Sequence, residues 1–168
     1  MSRPITDRLR RSEEETQTDR ERRTIFDRVL VGVVGGVIAT TVMTVYRLPI
    51  SESLPPTAEF WAQYVGSGDA EAYPVVGLAL HFMYGIAGGI TFAVIAPGSG
   101  ESDAHSQRKN VVFGTLYGLL LSVFGTRILL ERVLGIDVES DYRLIFHVSH
   151  VIYGLTLGTW VGSRLGTD

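Results

Sequence analysis

Charge in this sequence is gathered into blocks, and between the blocks lie apolar runs long enough to cross a bilayer. Val29 to Tyr46 contains no charged residue, nor does Ala72 to Gly100, whereas the first 28 residues carry eight Arg and seven Asp or Glu. A charge within hydrocarbon is costly, so a spanning helix excludes it for about 20 residues and collects it at the ends. A soluble helix instead keeps a polar stripe along its whole length. The 45% hydrophobic content of the 168-residue chain supports the first pattern.

Four spans follow. The first, about 25–46, is roughly 22 residues, enough at 1.5 Å per residue for a hydrocarbon core of about 30 Å. Arg47 and Pro49 end it. The second, about 74–96, opens on Pro74, a residue suited to a first helical turn, and stops before Pro97 and Gly98. The third, about 110–134, holds Arg127 and Glu131 in its last two turns and meets a plausible cap at Gly135. The fourth, about 142–163, follows the acidic turn Asp137 to Asp141 and ends at Arg164. The expected fold class is an all-α integral membrane protein, a four-transmembrane-helix bundle over 25–165.

The charged segment 1–24 is expected to be a disordered cytoplasmic tail or a frayed helix, since it has too few large apolar residues to offset ordering. The first span reads as a retained anchor, because Thr44-Val-Tyr-Arg-Leu-Pro49 lacks the small-x-small pattern of signal cleavage. Arg and Lys near span ends number seven on the side of the tail, middle loop and C-terminus (Arg20, Arg22, Arg23, Arg28, Arg108, Lys109, Arg164). The other side has Arg47, Arg132 and Arg143, with Arg127 as a fourth. That bias places both termini in the cytoplasm of a multi-pass plasma-membrane protein.

The long outer loop contains Pro55 to Val65, where Pro56 and Thr57 can start a short helix gathering Phe60, Trp61, Tyr64 and Val65 on one face. Its aromatic residues suit the headgroup level. A lid over a site is the alternative reading.

Spans two and four share a motif. His81-Phe-Met-Tyr84-Gly85-Ile-Ala-Gly88-Gly89 and His150-Val-Ile-Tyr153-Gly154-Leu-Thr-Leu-Gly158 both read H-x-x-Y-G-x-x-x-G, four identities in nine positions at an offset of 69 residues. An internal repeat of a two-helix unit is therefore expected, with both copies in one orientation. Span one, with Gly32, Gly36, Thr40 and Thr44, then corresponds loosely to span three, with Gly114, Gly118 and Ser122. Lipid tails are as apolar as Leu, so helices in a bilayer associate through close approach at such small residues. Gly32, Gly36, Gly85, Gly89, Gly114, Gly118, Gly154 and Gly158 are the expected packing positions, and they turn His81 and His150 toward protein.

The candidate polar or ligand site comprises His81, Tyr84, His147, His150, Tyr153 and Arg127, since ionisable groups at membrane depth are functional candidates by default. The leading expectation is structural: these groups hydrogen-bond across the bundle to Thr40, Thr44, Ser122 or carbonyls and fix its register. Arg127 and Glu131, four residues apart, are expected to pair. A second reading is a small transporter or channel component with an intramembrane His/Tyr site, acting by proton relay or on a divalent metal. A third is bis-histidine haem ligation, although no cofactor is required by the sequence.

Other chemistries find no support. A net charge of −3 without a basic patch argues against nucleic acid. The absence of cysteine removes disulfides, thiolate metal sites and thiol nucleophiles. Ser99, Ser106 and His105 sit in a Gly- and Ser-rich connection without a nucleophile constellation, so no enzyme is expected. The expected partners are the bilayer, a second copy of the chain or another membrane protein.

With Gly35-Gly-Val-Ile-Ala-Thr-Thr-Val-Met43 in span one and the repeated H-x-x-Y-G-x-x-x-G motif, the chain resembles small uncharacterised four-helix membrane proteins of prokaryotes, the YagU-like proteins among them. The resemblance covers the helices and implies a membrane protein, most simply a non-enzymatic packing or assembly module.

Overall fold

The computed structural model describes residues 5–50, 55–96 and 103–165. Its elements are α1 (Ile5–Arg47), α2 (Pro56–Tyr64), a 3-10 turn (Ala70–Ala72), α3 (Pro74–Ile95), α4 (Asp103–Phe124), a π-helical segment (Gly125–Val133) and α5 (Ser140–Leu165). There is no strand among the described residues. Four stretches are long and apolar enough to cross a membrane: Thr24–Arg47, Pro74–Ile95, Gln107–Val133 and Ser140–Leu165.

The local chemistry of the helix ends accounts for these boundaries. Pro56 and Pro74 occupy first turns, where a missing N–H costs nothing. Gly135 adopts φ +67 just after the third span, a left-handed conformation that a Cβ would disfavour. Arg28 donates to the carbonyls of Ala93 (3.0 Å) and Ala96 (3.1 Å), so a side chain of α1 satisfies the orphan carbonyls at the end of α3.

The backbone of α1 is helical from Ile5, so the charged segment, expected as a disordered tail or a frayed helix, is continuous with the helix of the first span. One feature departs from the sequence expectation. The third span, expected as α-helix throughout, widens into π-helix at Gly125. There the Leu134 N–H reaches back five residues to the Leu129 carbonyl at 2.9 Å. The ring of Phe146 lies where a Cβ on Gly125 would stand, 2.9 Å away, so the widened turn starts at the one residue that can back onto that ring.

The helices pack in two antiparallel pairs, α1 with α3 and α4 with α5, joined mainly through α1 and α5. Each pair crosses at glycine. A Cβ at Gly36 would lie 2.7 Å from the Gly85 carbonyl oxygen, and one at Gly114 would lie 2.5 Å from the Gly154 oxygen. Gly89 rests on the Gly32 carbonyl and Gly158 on that of Asn110. Backbone contact this close strengthens dispersion along the whole crossing and is open only to residues without a side chain.

Between the pairs, Ala39, Met43, Phe92, Ala93, Tyr153, Leu157 and Val161 form the central core. A smaller cluster of Leu130, Leu134, Val138 and Phe146 seals the end that holds the π segment. Some buried hydroxyls are satisfied within their own helices, Thr40 donating to the Gly36 carbonyl (2.7 Å) and Ser149 to that of Ile145 (2.6 Å). The outside of the bundle is apolar instead of charged: Val75, Leu116, Leu120 and Leu144 are all more than half exposed.

Candidate functional site

At the end of the bundle where Arg47 closes α1, the helices part around a cavity of about 370 Å³. Met43, Leu78, Leu129 and Phe146 give it apolar walls, and Arg47, His81, Tyr84, Ser149 and His150 supply its polar groups. Pro55, Pro56 and Thr57 at the start of α2 complete the wall. α2 is held there by its own bonds: Thr57 Oγ1 donates to the Gly77 carbonyl at 2.6 Å, and Tyr64 Oη donates to that of Val133 at 2.5 Å. Gly77 permits this, since a Cβ on it would lie 2.6 Å from that of Ala58. The short helix expected in the outer loop thus forms, and it borders the cavity while Phe60, Tyr64 and Val65 stand exposed.

The two histidines and two tyrosines of the repeated motif come together at the deep end. A gap of about 10 Å³, room for roughly one water, is lined by His81, Tyr84, His150 and Tyr153 together with Met43, Gly85 and Leu121. Their roles differ. Tyr153 is buried and donates its hydroxyl to the Gly85 carbonyl at 2.6 Å, tying α5 to α3. His150 Nδ1 lies 2.9 Å from the Phe146 carbonyl, an oxygen that can only accept, so Nδ1 carries the proton and Nε2 offers a lone pair. Its ring also packs on Phe146, with centroids 4.3 Å apart. His81 and Tyr84, the matching pair on α3, make no hydrogen bond among the described residues.

The remaining candidates lie elsewhere. His147 pairs with Ser122 across the α4–α5 crossing, away from the cavity. Arg127 is exposed on the π segment with a nitrogen 3.9 Å from Glu131, and Arg143 approaches the same carboxylate at 3.4 Å. Among the described residues no three of His, Cys, Asp and Glu converge to hold a metal ion.

Sequence reasoning missed two contributors. Arg47 reads as a span terminator, yet it enters the wall, donates to Tyr142 Oη at 2.8 Å and stacks 5.1 Å from that ring. Ser149, beside His150, carries no periodic signal of its own. A second recess of about 430 Å³ is lined by Glu59 of α2, Glu71 of the 3-10 turn, and Asp137 and Glu139 of the link before α5, an association invisible in sequence order.

Comparison with known proteins is narrow. No curated protein and no solved structure matches the chain. The sequence resemblance to YagU-like proteins finds no counterpart in these comparisons. A family model does match, over residues 26–167, which takes in all four long apolar helices and stops short of most of the charged tail. The chain belongs to the family of unknown function DUF6789.

Proposed function

We propose that this chain is a non-enzymatic, multi-pass protein of the plasma membrane that binds a small amphipathic molecule between two copies of a helix pair. Insertion is supported by the distribution of apolar surface: large aliphatic residues stand on the outside, while polar groups are gathered inside. Water would penalise that arrangement and a bilayer rewards it. The excess of Arg and Lys at the tail, middle loop and C-terminus supports cytoplasmic termini.

The helix crossings support duplication and refine its register. Gly36 meets the Gly85 carbonyl as Gly114 meets that of Gly154, and Gly89 meets Gly32 as Gly158 meets Asn110. These contacts relate Gly36 to Gly114, Thr40 to Gly118 and Thr44 to Ser122, one helical turn from the loose sequence alignment that sets Gly32 against Gly114. A glycine-packed assembly module is the scaffold in this reading, and the cavity gives it a use.

One observation carries the binding role. Of two equivalent His/Tyr pairs, one is spent on backbone carbonyls and the other faces a cavity without a hydrogen bond among the described residues. Polar groups left so at membrane depth cost free energy unless a partner meets them. The test is extraction of the protein from its own membrane into lipid nanodiscs, followed by organic extraction and mass spectrometry. We expect one small molecule at near-stoichiometric amount, lost when Leu78→Trp fills the cavity in a variant with unchanged helix content. Wild-type protein that carries nothing above an empty-nanodisc control would overturn the reading.

A further inference from the structure

We propose that the molecule bound in this cavity is a lipid-soluble quinone or its quinol, held by a ring oxygen between His81, Tyr84 and His150. The inference rests on the binding reading above and adds the chemical class.

Charge narrows the class first. Among the described residues no carboxylate lines the cavity, so a cationic ligand finds no counter-charge from them. The one cation among the lining residues, Arg47, already donates to Tyr142 Oη and lies over that ring, so the wall does not call for an anion. A neutral ligand fits, and burial at membrane depth favours one.

Hydrogen-bond capacity narrows it further. Tyr84 can donate or accept, and a neutral His81 offers a donor on one ring nitrogen and an acceptor on the other. His150, protonated at Nδ1 toward Phe146, offers only the lone pair of Nε2. The cluster can therefore donate two bonds to a carbonyl oxygen, from Tyr84 and His81, and can accept one from a hydroxyl, at His150. A quinone presents the carbonyl and its quinol the hydroxyl at the same position, and neither form requires a charged side chain. An ester or ether has no form that donates to the His150 lone pair, whereas the quinol form of this couple does.

Shape agrees. Phe146 and the imidazole of His150 make a ring-bearing wall, with Leu78 and Leu129 also lining the cavity, a setting suited to a flat apolar ring. From Pro74 to Tyr84 the cavity follows ten residues of α3, about 15 Å at the standard helical rise. That is deeper than one ring requires and leaves length for the start of an isoprenoid chain. Leu48 and Leu78 line the cavity and also stand exposed, 68% and 41%, on the outside of the bundle, so the chain can leave between them.

The test is equilibrium binding of decylubiquinone to the full chain in nanodiscs, with partition into empty nanodiscs subtracted. We expect one saturable site per protein, with Kd raised at least tenfold by His81→Ala and at least fivefold by Tyr84→Phe. Thr159→Val, at the opposite end of the bundle, should leave Kd within twofold. Thermal unfolding of each variant separates a lost contact from a lost fold, and Tyr84→Phe removes no internal hydrogen bond. Absence of saturable binding, or binding indifferent to both His81 and Tyr84, overturns the quinone assignment. If the nanodisc extract then yields a sterol or a fatty acid, cavity binding stands and the quinone class falls. If the extract yields nothing, both fall.

Discussion

The unequal treatment of the two tyrosines makes a prediction that a single oxygen atom decides. Tyr153→Phe removes a hydroxyl that donates to the Gly85 carbonyl at 2.6 Å in a site only 2% exposed, out of contact with bulk water. A hydrogen bond in a protein interior contributes about 0.5–1.5 kcal/mol net. Between membrane helices the average is nearer 0.6 kcal/mol, with a ceiling of about 1.7. The Gly85 carbonyl keeps its place in the α3 backbone ladder, so no fully orphaned acceptor is added. The lost oxygen also vacates space beside Gly88, where a Cβ would stand 3.0 Å from it. The expected cost is about 1 kcal/mol, or roughly 2–4 °C in Tm for a chain of this size. Tyr84→Phe removes the same atom from a residue with no hydrogen bond among the described residues and should change stability by less than about 0.5 kcal/mol. The assay is thermal unfolding in detergent followed by helix circular dichroism, both variants measured beside wild type without added ligand. Equal losses, or a greater loss at Tyr84, would refute the division into a structural tyrosine and a free one.

Gly36→Ala and Gly114→Ala should each destabilise by about 1–3 kcal/mol, because the added methyl meets a partner backbone that must move as a unit. Chemical denaturation in mixed micelles checks this, and a large cost at one position with none at the other would break the proposed register. Arg28→Ala should free the last carbonyls of α3 at a cost of about 1 kcal/mol, seen as faster amide exchange where Arg28 of α1 meets the end of α3. Unchanged exchange there would show the contact to be dispensable. Since the chain has no cysteine, Ser67→Cys and Ser163→Cys can map topology directly. An impermeant maleimide should label only Ser67→Cys on intact cells, and labelling of Ser163→Cys alone would invert the proposed orientation.

Much of the scaffold was legible because hydrocarbon imposes simple rules. Charge exclusion located four long helices, Pro74 marked a start and Gly135 a left-handed stop, and each signal depends on residues adjacent in sequence. The π-helical turn was not legible, since it begins where Gly125 backs onto the Phe146 ring, a contact across 21 positions of chain. The site was half legible. The repeated motif marked His81, Tyr84, His150 and Tyr153, and the fold gathers all four around one gap. Nothing in the motif could say which pair would be consumed by carbonyls. His147 stood one turn from His150 in sequence, but helical phase turns it into the α4–α5 crossing, while Arg127 stands exposed beside Glu131, the pairing expected from their spacing.

The asymmetry has a physical origin in what surrounds each unit. In the proposed register Leu78 occupies the place of His147, and Thr44 that of Ser122. In the second unit that pair is a polar contact drawing α4 and α5 together. In the first unit Leu78 offers Thr44 no such bond, Thr44 turns its hydroxyl to the Thr40 carbonyl at 2.7 Å, and both residues line the cavity. The connections differ as well: residues 134–139 join the π segment to α5, whereas the link from α1 to α3 is long enough to hold α2 and lay Pro55, Pro56 and Thr57 along the opening. On the proposed duplication and binding role, the site arises without a new helix, by the absence of one interhelical polar contact in one copy and a longer loop. Restoring the contact is the reverse experiment. Leu78→His should close α3 toward α1 through Thr44, shrink the cavity and release whatever molecule it holds, while leaving the α4–α5 pair unchanged.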